Sequence, residues 1–493
     1  MRVRAAPVLA GVALLAAGCG GGGGGNALPA AADLVPASAP ALISVNTDFS
    51  SAQWRRELAL VRRFPGAGDL LRRASAESGN IDFEHDVKPA LGAEVDVVWL
   101  DFANGGSDVV ALTQPKDETR FRELIKKGNS TGGSRLVTTK VGDWTVAADT
   151  RAKLARFRRE SSSGDKLSDD HAFGQAMGRL DSNSAVRAYV AGRPVQRALD
   201  RSFENGGAPP NLTHAVGRLE SLSASLGAEA KGARFEGGAA LDPPLAPEPF
   251  AATLPRLFPR GALLYVTANS LDDMTRTVLR LVSRSFPNFQ TQLAQVEAVL
   301  GFSVRTDVLP LLAHEAAFAI YPARPLPTFV LVIKVGDTAK AQRIFSRLSG
   351  AVALGLNIQT KKIPVHGVDV SELDFPRTGA RPVKTYFAAF AGKFAFTTDE
   401  RTMRQLIEGP ASALDGDPAF RSAKRDAGMP AKTTGFAYAN LQKGLPFAFL
   451  LAIESGSAVP PEAVANTRPL RTALVYTHRD GDFLRVSGFA TIK

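Results

Sequence analysis

The chain has 493 residues, 45% of them hydrophobic, which is enough to bury a large core and too apolar for an intrinsically disordered protein. It carries 59 Lys and Arg against 48 Asp and Glu, a formal charge of +11, but no basic run interleaved with aromatics, so nucleic acid is not an expected partner. The single cysteine, Cys19, excludes a disulfide framework, a zinc–thiolate cluster and a catalytic thiol from everything downstream of it.

In chain order, Arg2 and Arg4 begin a basic start, residues 5–17 are apolar or small, and Ala16, Ala17 and Gly18 lead up to Cys19. That layout predicts a lipoprotein signal peptide over 1–18 with Cys19 as the lipidated residue. The apolar run is too short to span a bilayer, which takes about 20 residues. Its one departure from a bacterial lipobox is Ala16, where Leu is more usual; Leu15 lies one position earlier. Residues 20–25 are all glycine and 26–32 stay small. The stretch 19–33 is therefore expected to be a flexible tether reaching roughly 20 Å. These features predict an extracytoplasmic protein anchored to a bacterial membrane through its lipid. The positive balance reads first as charge spread over solvated faces; the alternative is contact with anionic lipid or an acidic envelope polymer.

The body reads as two tandem copies of one unit, 34–243 and 257–493, joined by a proline-rich segment at 244–256. Leu34, Pro36, Ala39 and Asn46 match Leu257, Pro259, Ala262 and Asn269 without a gap. Asp86, Val87 and Pro89, with Glu94, match Asp307, Val308 and Pro310, with Glu315. Further blocks follow in the same order: 110–117 with 330–337, 142–149 with 392–399, Ala172-Phe173 with Ala419-Phe420, and Ala188-Tyr189 with Ala437-Tyr438. The second copy is longer, and the extra residues are placed near 357–381, as added strand or loop at one edge. Each copy shows short apolar strand candidates (41–45, 94–100 and 109–113; 263–267, 316–321 and 329–333) and helical patterns at 53–64 and 271–286. Asp117, Asp337, Asp149 and Asp399 are expected to cap helices, since a carboxylate at that position accepts free backbone N–H groups. Hairpins ending at 145–148 and 394–397, then closing strands such as 483–492, complete the pattern. The expected fold is α+β: two tandem homologous halves, each a mixed or mostly antiparallel sheet with helices on one face.

The lipobox, the Leu-x-Pro-x-x-Ala opening before a strand ending in Asn46, the Asp-Val-x-Pro block and the strand–Asp–helix block resemble a bacterial family known as domain of unknown function 3352. The resemblance implies an exported or membrane-attached protein and no particular activity.

Catalytic signatures are nearly absent. There is no Gly-x-Ser-x-Gly elbow, no His-Glu-x-x-His helix and no phosphate-binding glycine loop. Ser163 and Lys166 have the spacing of a Ser-x-x-Lys motif but stand in a polar loop without its companion motifs. The histidines, His85, His171, His214, His314, His366 and His478, are scattered, and metal ligation needs several converging donors. The repeated acids Asp86/Asp307 and Glu94/Glu315 read as structural, because tandem copies share what fixes their fold. No catalytic residue, metal or cofactor is expected. One asymmetry stands out. The polar segment 193–201 is matched in the second copy by 445–453, apolar on every side. That segment is expected to be the better buried of the two. Alternatively Phe447, Phe449, Leu450 and Ile453 line an apolar groove. The expected function is a non-enzymatic binding or scaffold lipoprotein of the cell envelope; the alternatives are a lipid or glycolipid carrier and, more weakly, an envelope hydrolase with no recognisable motif.

Overall fold

A computed structural model describes residues 28–69, 72–73, 81–103, 106–130, 135–205, 217–244, 247–286, 288–375 and 383–493. The signal segment, Cys19 and the glycine run lie outside them, as do residues 245–246 of the joint, His214, and residues 376–381 of the expected insertion.

The first half supplies strands β1 (Ala41–Asn46), β2 (Glu94–Trp99), β3 (Val109–Thr113), β4 (Val137–Val141), β5 (Trp144–Ala148), β6 (Val186–Ala191), β7 (Arg218–Glu229) and β8 (Gly232–Asp242). They pair in the spatial order β4-β5-β3-β2-β1-β6-β7-β8, every pair antiparallel. The second half supplies β9 (Leu264–Ala268), β10 (Ala316–Tyr321), β11 (Thr328–Lys334), β12 (Gln359–Val365), β13 (Val368–Phe375), β14 (Val383–Phe390), β15 (Lys393–Thr397), β16 (Gly435–Ala439), β17 (Leu470–Asp480) and β18 (Phe483–Ile492). Their order is β12-β13-β14-β15-β11-β10-β9-β16-β17-β18, again antiparallel throughout. The two orders are the same once the hairpin β12–β13 is set aside. That hairpin falls where the extra residues were expected, at the outer edge of the second half.

The halves are not separate bodies. β8 pairs with β18, Glu236 opposite Ser487 and Phe235 opposite Gly488, which fuses them into one 18-stranded sheet. The last strand of each half meets the other around a local pseudo-twofold. The registers therefore assign equivalences directly: Leu42 faces Tyr189 as Tyr265 faces Tyr438.

The helices are α1 (Ala52–Val61), α2 (Glu118–Ser130), α3 (Arg151–Ser162), α4 (His171–Met177) and α5 (Gly192–Asn205) in the first half. In the second they are α6 (Leu271–Ser285), α7 (Phe289–Leu300), α8 (Thr338–Leu356), α9 (Glu400–Glu408), α10 (Pro418–Asp426), α11 (Leu441–Glu454) and α12 (Pro461–Thr467). They cover both sheet faces, not one. Phe157 of α3 and Phe173 of α4 pack with Val98, while Phe121 of α2 packs with Val95, which points to the opposite face of β2. The second half repeats this, with Met403 and Phe420 against Ala395 and Ile344 against Phe394. The reason is the alternation of these strands, which is apolar on both sides at the wings of the sheet.

Caps hold as expected at Asp117, Asp337 and Asp399, whose carboxylates accept the N–H of Arg120, Lys340 and Thr402. Asp149 is displaced by one: Thr150 caps α3, and Asp149 instead pairs with Lys153. The tether also ends earlier than expected. Ala30–Asp33 is a turn of 3-10 helix with Ala31 and Ala32 fully buried in the first-half core. Leu254–Arg256, inside the expected joint, is its counterpart. Small residues that looked like linker are there because the turn packs tightly.

Candidate functional site

The repeated acids are structural. Asp86 accepts the N–H of Asp82 and pairs with Lys127; Asp307 accepts the N–H of Ser303 and pairs with Lys340 at 2.8 Å. In each half this pins an irregular turn to the next helix, and the paired cation, with the backbone N–H, holds the carboxyl below its usual range. Glu315, 3% exposed, accepts the backbone N–H of Thr253 and Leu254 at 2.9 Å and the Thr253 hydroxyl, and pairs with Lys334 at 2.8 Å. Ser163 donates to the Arg159 carbonyl and Lys166 to that of Ser161, so the two side chains are not brought together. His366 pairs with Glu408 and His85 with Asp82, each alone at the surface. Among the described residues no group of three or more His, Cys, Asp or Glu side chains is placed to hold a metal ion.

The asymmetric helices reverse the expected burial. α11, which carries Phe447, Phe449, Leu450 and Ile453, has no buried residue; the first three are half-buried and Ile453 is 58% exposed. The polar α5 buries Gly192, Gln196 and Asp200. The physical reason is hydrogen bonding. The Gln196 amide donates to the Gly217 carbonyl and accepts from the Leu219 N–H, clamping α5 onto the start of β7. α11 packs against the start of β17 and against α12, and neither closes over its apolar sides.

One uncovered apolar feature was not visible in any single segment. It is a row of side chains crossing the middle of the sheet. The registers place Val186, Leu226, Phe235, Gly488, Val475, Ala437, Val266 and Phe318 side by side on one face. At the wings this face is covered by α2 and α8, and Leu60 of α1 packs on it at Ala228 and Ile492; the row itself stays partly open. Leu226 is 38%, Phe235 42%, Val475 40% and Val266 37% exposed. From Leu226 to Val266 the row crosses six strands, roughly 24 Å at about 4.8 Å per strand. A Cβ on Gly488 would come within 3.0 Å of Val475 Cγ2, so glycine keeps the floor of the row low at the seam. Isolated exposed apolar side chains are ordinary on a protein surface; a contiguous row marks a binding surface.

A family profile described as a protein of unknown function (DUF3352) matches residues 112–477. No curated protein matches the chain. Among solved structures, crystal forms IV, III and I of TP0453 align at 14% identity with TM-scores of 0.26, 0.25 and 0.24. They cover 48%, 49% and 48% of this chain and 80%, 96% and 77% of their own. At such values the likeness bears on neither fold nor function. No helix among the described residues is long and apolar enough to cross a membrane.

Proposed function

The chain belongs to the DUF3352 family of proteins of unknown function, and from that premise we propose that it is a non-enzymatic, lipid-anchored binding protein of the cell envelope that holds acyl chains on the open face of its sheet. The observation that carries this reading is the exposed apolar row through Leu226, Phe235, Val475 and Val266. Its roughly 24 Å exceeds the ~15 Å that an acyl chain spans in one leaflet, half of a hydrocarbon core of about 30 Å. Such a surface left in water costs about 25 cal/mol per Å² of apolar area, which an occupying chain recovers.

The surroundings suit an amphiphile. Arg193, Arg197 and Arg201 are exposed at four-residue spacing along α5, forming a basic stripe beside β7 that favours an anionic headgroup. A tether at Cys19 would keep the body within reach of membrane lipid.

The test is native mass spectrometry of the full lipidated chain, with solvent extraction of whatever it retains. The expected result is acyl lipid bound to the wild type and lost from Phe235→Asp/Val475→Asp, with the far-ultraviolet circular dichroism unchanged. A wild type that carries no lipid and takes up no fluorescent fatty acid, or a double variant that retains its lipid, overturns the reading.

A further inference from the structure

The other face of the same strands holds something different in the two halves, and each half serves as the other's control. On that face the row reads Asp96, Ser44, Arg187, Ser225 and Glu236 through the first half. Across the seam it continues as Ser487, Tyr476, Phe436, Thr267 and Ala317. The pseudo-twofold pairs Ser225 with Tyr476, Arg187 with Phe436 and Asp96 with Ala317. In the second half these positions are core: Phe436, Tyr476 and Ala317 belong to its main hydrophobic cluster. In the first half their counterparts are polar yet equally buried, Asp96 being 0%, Ser225 4% and Arg187 6% exposed.

Burying charge costs several kcal/mol per ion unless it is paired; Arg187 lies 3.7 Å from Glu94 and within the field of Asp96, whereas the second half builds the same strands with apolar residues. Burial and the neighbouring Glu94 push the Asp96 carboxyl well above its ordinary range, and burial lowers Arg187. The substitutions also remove volume. Ser225 replaces a tyrosine, and Gly227 stands where the second half has His478. The space left is a cavity of about 470 Å³ beside the seam. Its wall includes Gln53 and Arg56 of α1, Asp181 and Asn183 of the turn before β6, and Glu236 of β8.

We infer that this cavity is a binding site for a small, neutral, polyhydroxylated molecule, a sugar or polyol. The volume lies within the 300–1,000 Å³ usual for ligand sites. The wall offers carboxylate acceptors and guanidinium or amide donors in near balance, which suits hydroxyl groups that both give and accept. An anion would meet Asp181, Glu229 and Glu236; a cation would meet Arg56 and Arg234. Among the described residues no aromatic side chain lines the cavity, which removes the platform a nucleobase would stack on. The site lies on the opposite sheet face from the acyl row, so it stands or falls independently of the proposed function.

The test is isothermal titration of the full-length chain with D-glucose, maltose and myo-inositol, and with glucose 6-phosphate and glutamate as charged controls. At least one neutral compound is expected to bind with a Kd of about 1 mM or better, and the controls at least tenfold more weakly. Ser225→Tyr/Gly227→His fills the cavity with the second half's own side chains. A Cβ at Gly227 would meet only ordinary contacts, the nearest at 3.5 Å. This variant should lose binding by tenfold or more. If it fails to fold, Arg56→Ala, an exposed change, should weaken binding at least threefold. Failure of all three neutral compounds to bind, preference for the charged controls, or undiminished binding in the variants overturns the proposal.

Discussion

Glu94 accepts a hydrogen bond from the backbone N–H of Ala30 at 2.8 Å, so the first residues of the folded body are fastened to the start of an inner strand. Glu315 fastens Thr253 in the same way but with more bonds and with Lys334 at 2.8 Å, where Glu94 has Arg187 at 3.7 Å. The same device opens both halves, and the first copy is the weaker. Glu315→Ala leaves two backbone donors and a lysine unpaired, and breaking a buried pair typically costs about 3–5 kcal/mol. Glu94→Ala removes one charge-assisted hydrogen bond and a longer pairing with Arg187, and should cost about 1.5–3 kcal/mol. Urea denaturation of the two variants decides it; equal losses would show that the two anchors are energetically alike.

The strands and their order within each half were legible because the repeated blocks carry apolar alternation and capping acids; Ala316–Tyr321, Val109–Thr113 and Phe483–Ile492 fall where the pattern puts them. The extra hairpin was legible as a length difference. The fusion of the halves was not, since pairing of Glu236 with Ser487 depends on sheet edges that local periodicity cannot see. The exposure of α11 was not legible for a related reason: an apolar helix is buried only if another element covers it. Neither face of the central sheet could be read either. The apolar row takes one residue from each of many strands, and the polar cavity shows only when Ser225 and Gly227 are set against Tyr476 and His478 by register.

Glu57 sits on the buried side of α1, 1% exposed, and burial pushes its carboxyl up to about 9 despite bonds to Gln53 and the Ala228 backbone. Below its ordinary value of about 4.5 both folded and unfolded chains hold the proton, and the stability from this site is fully present. As pH rises toward 9 only the unfolded chain ionises, so folding loses up to about 1.4 kcal/mol per pH unit. Glu57→Gln removes that penalty. Its stability relative to the wild type should therefore climb between pH 5 and pH 8.5, read as urea midpoints at each pH. Parallel curves would mean that Glu57 is ionised in the folded protein.

The proposed lipid anchor at Cys19 makes a direct prediction: Cys19→Ser should abolish lipidation and release the chain from the detergent phase of a Triton X-114 partition. A weaker membrane contact should remain through the apolar helices of the second half, where Phe286, Val299 and Leu354 are 62%, 85% and 86% exposed. Val299→Asp/Leu354→Asp on the Cys19→Ser background should reduce flotation with anionic vesicles by at least fivefold. Undiminished flotation would place the second contact elsewhere, with the basic α5 stripe the next surface to test.

The seam makes a prediction about each half alone. Cut between 244 and 247, each half exposes one long edge strand, and an unpaired edge seeks a partner. The pseudo-twofold offers one: a second copy of the same half, paired β8 to β8 or β18 to β18 in the register the seam already uses. In the second half that register sets Ser487 against Ser487, which is tolerated. In the first it sets Glu236 against Glu236, and like charges directly opposite destabilise a pair by up to about 1 kcal/mol. The intact chain avoids this because Glu236 faces Ser487. The second half alone should therefore dimerise more tightly than the first, as measured by sedimentation velocity over a concentration series. Glu236→Ser should bring the first half to a comparable dimerisation constant. If the serine variant stays as monomeric as its parent, the charge at the seam is not what keeps β8 from pairing with itself.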